Sequence, residues 1–286
     1  MTVRELIRSH AAYRDDIGDL VTRRPLPGPN LPLLDPFLFL NHHGPQRYLP
    51  NNEGLPFGPH PHRGFETVTF ILDGSLAHSD TGVHESVIDA GGVQWMTAGS
   101  GLIHAELSPA SFKRDGGDME ILQLWLNLPA RLKMTAPRYT GVQRPDIPAI
   151  ELAPGATVDL ISGALGGTSG PIASLTDTFM SVVRLAPGAE AVLPAPAGRT
   201  VFLYVVRGEA KVAGSLVPQW HLAQLGDGDE VQLTSRDGAT LLYGHSAPLG
   251  EPVVAHGPFV MNTREEIAQA IQDYQDGRFG DPAALG

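Results

Sequence analysis

The chain has 286 residues, 42% of them apolar and 18% charged, with a formal charge of -11 and no cysteine. The absence of cysteine excludes disulfides, thiolate catalysis and Cys-ligated zinc or iron–sulfur sites, and the acidic balance argues against direct binding of nucleic-acid backbones. The length suits two cores of ordinary size, and 33 glycines and 25 prolines spread along the chain suit short strands joined by tight turns, so an all-β protein of two modules is expected.

At the amino terminus, Met1-Thr2-Val3-Arg4-Glu5 brings charge where a signal peptide needs an apolar core. No apolar run approaches membrane-spanning length, so a cytoplasmic protein with no membrane partner is expected. Runs rich in β-branched and aromatic residues then recur between Gly, Pro and Asp punctuation. Those over 66–72, 93–96 and 121–126 predict strands of a first module, and those over 180–185, 201–206 and 231–234 predict strands of a second. The stretch 129–154 is broken by prolines and lacks a strong alternating pattern, which places the junction there and gives domains over 1–135 and 150–286. One helix is predicted, late in the second domain. Thr263 and Glu266 form a capping box, Ile267, Ile271 and Tyr274 make an apolar stripe, and Gly277 stops the helix.

A weak internal repeat relates the two modules. The segment from Phe65 to Gly74 aligns with that from Thr200 to Gly208 with a single gap, and Ala90-Gly91-Gly92-Val93 aligns with the stretch that begins Leu225-Gly226-Asp227. This alignment sets Pro194 and Pro196 opposite His60 and His62, and nothing in the second copy answers His104 and Glu106. Metal binding is therefore expected in the first module only.

His60 and His62 lie two residues apart, and so do His104 and Glu106. In an extended chain, residues i and i+2 face the same side. Two such segments side by side in a barrel would converge three imidazoles and a carboxylate on one divalent ion and leave two positions for exogenous ligands. Such a site is kin to those of non-heme Fe(II) oxygenases, so Fe(II) is the first expectation, with Mn, Co, Ni, Cu or Zn also compatible.

Other polar residues are weighed against this set. His42 and His43 precede Gly44-Pro45 and read as turn residues or cavity wall, and His78 and His84 read as exposed. Arg63 is expected to pair with a carboxylate, Gln123 to hydrogen-bond a ligand, and Trp95 and Met96 to sit in the core. There is no Walker loop, dinucleotide fingerprint or Gly-x-Ser-x-Gly elbow.

Gly58-Pro59-His60-Pro61-His62-Arg63-Gly64-Phe65-Glu66-Thr67-Val68-Thr69, followed by the run from Val93 to Glu106, resembles the paired signature of the pirins, a bicupin family. Leu34-Asp35-Pro36-Phe37-Leu38, Leu122-Gln123-Leu124-Trp125 and Gly257-Pro258-Phe259-Val260-Met261-Asn262-Thr263 extend the likeness over nearly the whole chain. Gly91-Gly92 and Asn41-His42-His43 depart from the usual family pattern. The resemblance implies two tandem cupin barrels, double-stranded β-helix or jelly-roll in form. It also implies one iron in the first barrel on His60, His62, His104 and Glu106, with Glu66 in a structural role or one supporting a ligand. It further implies oxygen-dependent cleavage of an aromatic, flavonol-like substrate of the quercetin kind, with Glu106 as the proton acceptor. The alternative implied by the family is a non-enzymatic iron or redox sensor acting through a protein partner.

Overall fold

The computed structural model describes residues 1–285, and they fold into two units that repeat one architecture: a seven-stranded antiparallel sheet and a four-stranded one. In the first barrel the larger sheet carries, in order, Arg138–Val142, Val93–Thr97, Phe65–Asp73, Gly117–Asn127 and Phe37–Tyr48. Its smaller sheet runs Phe57–His62, Leu102–Leu107, Ser75–Asp80, Glu85–Asp89. The strand predictions agree with this: 66–72 lies within Phe65–Asp73, 93–96 within Val93–Thr97, and 121–126 within Gly117–Asn127. Ile71, Met119 and Ile121 from one sheet and Leu76 and Ile88 from the other share a core, which is how a sandwich buries one face of each sheet.

The second barrel repeats the plan. Its seven-stranded sheet centres on Thr200–Gly208, Ala239–Ser246 and Phe179–Leu185, and its four-stranded sheet runs Glu190–Pro194, Glu230–Thr234, Ala210–Val212, Ser215–Val217. Val183, Leu203, Leu241 and Tyr243 meet Leu193, Val212, Val231 and Leu233 in a core with almost no exposure. Trp95 and Met96 of the first barrel are buried, as expected.

The units divide between Arg144 and Pro145, within 129–154, and neither is one contiguous stretch of chain. One unit comprises Arg14–Arg23, Phe37–Arg144 and the chain from Leu249 onward, and the other comprises Met1–Tyr13, Arg24–Pro36 and Pro145–Pro248. Two long-range contacts produce the exchange. Leu6–Ala11 forms an edge strand on His221–Leu225, so the amino terminus belongs to the second barrel. The C-terminal segment buries Phe259, Met261, Ile267, Ala270 and Phe279 with Ile103, so it belongs to the first. A composition shift marks where backbone leaves a barrel and carries no signal for a segment that returns from the far end of the chain.

The terminal helix spans Arg264–Gln275 and has the full capping box, with Thr263 accepting from the Glu266 amide and Glu266 accepting from the Thr263 amide. Its buried positions are Ile267, Ala270 and Asp273, while Tyr274 is 39% exposed, so the inward face is turned by one residue from the predicted stripe and carries a carboxylate. Among the described residues no helix is long and apolar enough to cross a membrane.

In the second barrel, Arg4 is 2% exposed and its guanidinium donates to the carbonyls of Ala195, Pro196 and Gly226. A cationic side chain thus sits on the segment that the repeat aligns with the His60–His62 segment. Replacing Arg4 by Met keeps the apolar stem and removes the donors to three carbonyls, that of Ala195 in a buried bond and those of Pro196 and Gly226 in partly buried ones. We expect Arg4→Met to lose about 3 kcal/mol of stability in urea titrations, and a loss under 0.5 kcal/mol would show that these bonds contribute little.

Candidate metal centre

The strand Phe57–His62 lies at the edge of its sheet, where Pro59 and Pro61 can forgo backbone donors on one side without breaking a ladder. It pairs antiparallel with Leu102–Leu107 in a register that sets His104 directly opposite His60 and Leu102 opposite His62. Directly opposed residues share a face, and so do i and i+2, so all three imidazoles arrive on one side. Their ring centroids are 4.4 Å (His60–His104), 4.8 Å (His60–His62) and 5.0 Å (His62–His104) apart. One nitrogen from each lies within 4.8 Å of the others, the arrangement of a three-histidine metal site.

The tautomers follow from the surroundings. His60 Nδ1 is 2.7 Å from the Gly58 carbonyl and His62 Nδ1 is 3.3 Å from the Pro258 carbonyl, contacts in which the ring N–H donates. A neutral ring has one N–H, so in both residues Nε2 presents a lone pair. His60 Nε2 and His104 Nε2 stand 3.0 Å apart, and buried His62 Nε2 has no hydrogen-bond partner. Two nitrogens bound to one ion at about 2.1 Å and at right angles would lie about 3 Å from each other, so the donor set fits a first-row divalent cation. Burial first, and then the neighbouring His60, push the His62 pKa down to about 3. His104 is held well below the usual histidine range by burial, then by His62, His60 and His78. Both rings are therefore neutral near pH 7, the state a metal requires.

Glu106 shares the face of His104 but stands outside the three-histidine cluster. A β-bulge follows His104 in the pairing with Phe57–His62, so Glu106 lies opposite Phe57. Its buried carboxylate accepts from Thr69 Oγ1, Gln94 Nε2 and Gln123 Nε2. These three donors form one cross-strand row, with Gln94 opposite Thr69 and Gln123 opposite Thr69 on the other side. Gln94 is oriented in turn by the Tyr139 hydroxyl, which donates to its Oε1 at 3.2 Å and also contacts Ser86. Gln123 was anticipated; Thr69, Gln94 and Tyr139 were not. The available signal was an alternation of polar residues with apolar ones in strands that are otherwise wholly buried.

Beside this row runs an aromatic one. Trp125 stacks on Phe39 at 4.7 Å, lies 4.4 Å from Phe65, and meets the His62 ring edge to face at 5.3 Å. Phe39, Trp125, Gln123 and His60 are all half-buried, so both rows remain accessible.

Other expectations fare differently. Arg63 pairs with Asp273 at 2.8 Å. Glu66 is fully buried and accepts from Thr97 Oγ1 at 2.6 Å, and burial pushes its pKa up. His42 and His43 are not turn residues. They lie within the strand Phe37–Tyr48, His42 against Glu120 at 2.8 Å and His43 against Thr22 at 2.8 Å. His78 is buried as well, stacked on Tyr139 at 4.0 Å and bonded to Asp80 at 3.0 Å, while His84 is partly exposed. Turn signals around Gly82 masked the inward phase of the strand Ser75–Asp80.

Two seven-plus-four sandwiches in one chain, one of them holding three converging imidazoles, define a bicupin with a candidate metal centre. Residues 19–126 match the Pirin family and residues 180–280 match the Pirin C-terminal cupin domain. The chain belongs to the pirin family. It is 42% identical over 267 residues to a pirin-like protein of Caulobacter vibrioides, covering 93% of this chain and 94% of that one. It is 40% identical over 269 residues to human pirin, covering 90% and 87%. The crystal structure of a quercetin 2,3-dioxygenase from Acinetobacter baumannii superposes with a TM-score of 0.93 at 33% identity, covering 98% of this chain and 99% of that one.

The buried rings make stability depend on pH. The folded pKa of His62 lies near 3 and the ordinary value is 6.5, so across that interval the folded chain binds fewer protons than the unfolded one. The stability associated with the neutral ring is complete above pH 6.5 and is lost as the pH falls toward 3. Chelator-stripped protein should therefore show a urea midpoint that drops steeply between pH 6.5 and 4, and His62→Asn should flatten that slope. Equal slopes in both proteins would contradict the assignment.

Proposed function

We propose that this pirin is a mononuclear dioxygenase that binds Fe(II) through His60, His62, His104 and Glu106 and cleaves flavonols such as quercetin with O2. The observation that carries this reading is the convergence of three inward-turned imidazoles beside an accessible aromatic wall. The likeness to the Acinetobacter baumannii quercetin 2,3-dioxygenase supports it. When bound, the ion would supply a Lewis-acidic, redox-active centre with positions open to a substrate oxyanion and to O2.

The side chains set the remaining terms. Trp125 and Phe39 offer a flat face to a polycyclic aromatic ring, and Trp125 touches His62, so a substrate stacked there has its oxygen substituents beside the imidazoles. Glu106 takes the flavonol hydroxyl proton on a carboxylate oxygen. The amide donors of Gln94 and Gln123 and the Thr69 hydroxyl hold that carboxylate in place. Tyr139 keeps the Gln94 amide from rotating and presenting its oxygen to the carboxylate. Asn41, opposite Gln123 in the register and buried, extends the polar row.

The test is anaerobic loading with Fe(II) followed by oxygen uptake with a panel of flavonols. Wild type should consume O2, and His104→Ala should fall to background. Glu106→Gln should lower kcat by roughly 10²-fold or more, the usual scale for a positioned base. Trp125→Ala should raise KM about tenfold with a smaller change in kcat, matching the worth of one aromatic stack. Fully metallated wild type that consumes no O2 with any flavonol would overturn the reading and favour iron sensing through a protein partner.

A further inference from the structure

The donor to the Pro258 carbonyl is one of the three imidazoles, and Pro258 stands on the C-terminal segment, nearly 200 positions along the chain from His62. The contact does not stand alone. The Arg63 amide also donates to the Pro258 carbonyl, at 3.4 Å, and the Val260 amide donates to the Arg63 carbonyl at 3.1 Å, so the segment runs as a short parallel bridge along His62-Arg63-Gly64. Gly64 permits this approach: its φ is +90°, and a Cβ there would come within 2.0 Å of the Val260 carbonyl oxygen. Buried Lys133 clamps the two pieces of backbone together, its ammonium donating to the Gly64 carbonyl at 2.9 Å and to the Val260 carbonyl at 3.0 Å.

The side chain of Arg63 turns away from the histidines and into the terminal helix. Its guanidinium donates to Asp273 at 2.8 Å and to the Ser100 carbonyl at 2.7 Å, and it lies 4.6 Å over the Phe279 ring. Arg63 is 4% exposed and Asp273 7%, so the pair is sheltered from solvent screening. Asp273 is held in turn by Gln269 at 2.8 Å and by Arg278 at 3.1 Å. A carboxylate on the buried face of a helix, where the sequence pattern asks for an apolar residue, is costly unless its partner is fixed.

We propose that the C-terminal segment completes the metal centre, with Asp273 as a positioning residue: through Arg63 it holds the backbone bridge that places the Pro258 carbonyl against His62 Nδ1 and so keeps His62 Nε2 turned toward the ion. The proposal rests on His62 being a ligand, as set out under the proposed function. A purely structural role for the helix would predict that losing the ion pair costs stability and leaves the centre unchanged in protein that remains folded. A positioning role predicts a defect at the centre itself.

The experiment uses Co(II) as the probe, titrated into chelator-stripped full-length protein and followed by its visible absorption, together with ¹⁵N NMR of His62 in the metal-free state. Wild type should show Co(II) bands that His60→Ala abolishes, and a His62 ring protonated at Nδ1. Asp273→Ala should weaken Co(II) binding roughly ten- to hundredfold, the scale seen when the hydrogen-bond partner of a metal-bound histidine is lost. It should also replace the single His62 tautomer with a mixture. Asp273→Asn, which keeps the shape, should fall between the two, and Gln275→Ala on the exposed side of the same helix should match wild type. If Asp273→Ala does not fold, Asp273→Asn carries the comparison. A folded variant that binds Co(II) within twofold of wild type, with unchanged bands and tautomer, overturns the proposal. If wild type itself shows no bands that depend on His60, the ligand assignment falls and the positioning role falls with it.

Discussion

The register between Phe57–His62 and Leu102–Leu107 is the constraint on which the rest of the first barrel depends. With His60 opposite His104, three rings and Glu106 share one face. A slip of one residue would send one strand's set to the opposite face and dissolve the cluster. Several features hold the register. The first strand is an edge strand whose prolines limit its pairing, the bulge after His104 absorbs the offset to Phe57, and His62 is tied from outside by a carbonyl of the C-terminal segment. Imidazoles packed against one another are costly to bury where, as at His62 Nε2, the inward lone pair meets no protein donor. A cation there would turn that cost into binding energy.

Around the cluster the barrel divides its inner face into rows. Gln94, Thr69 and Gln123 form one row across three adjacent strands and converge on Glu106. Two residues along the same strands, Thr67 stands opposite Trp125, and Trp125 opposite Phe39, which begins the aromatic row. The period of two that aligns the histidines thus also sorts polar from aromatic surface, so an aromatic wall and a buried carboxylate flank the same point.

Much of this was legible in the sequence because it is local. The two i, i+2 pairs, the capping box at Thr263 and Glu266, and the strand runs depend on neighbours in the chain. The strand containing Gln123 was recognised from such a run, and its partner Glu106 from the spacing to His104. What depended on distant pairing was less legible. Nothing near Leu6–Ala11 signals that it joins His221–Leu225, and nothing near Asp273 signals that its helical position faces Arg63. His42 and His78 were misread for a related reason. Their neighbours are turn-formers, while their partners Glu120 and Tyr139 lie far along the chain.

The exchange of terminal segments between the barrels has a consequence for how the chain is made. Leu6–Ala11 is synthesised well before the strand it pairs with, which is more than 200 residues behind it. The histidines of the first barrel are likewise made long before Pro258 and Asp273. Neither unit can close before those distant segments have been made, so edge backbone on the second and the strand end at His62 on the first stay open until then. The order of synthesis keeps the candidate metal centre from becoming rigid before Pro258 and Asp273 are in place. An ion captured before that moment would meet histidines whose tautomers are not yet set.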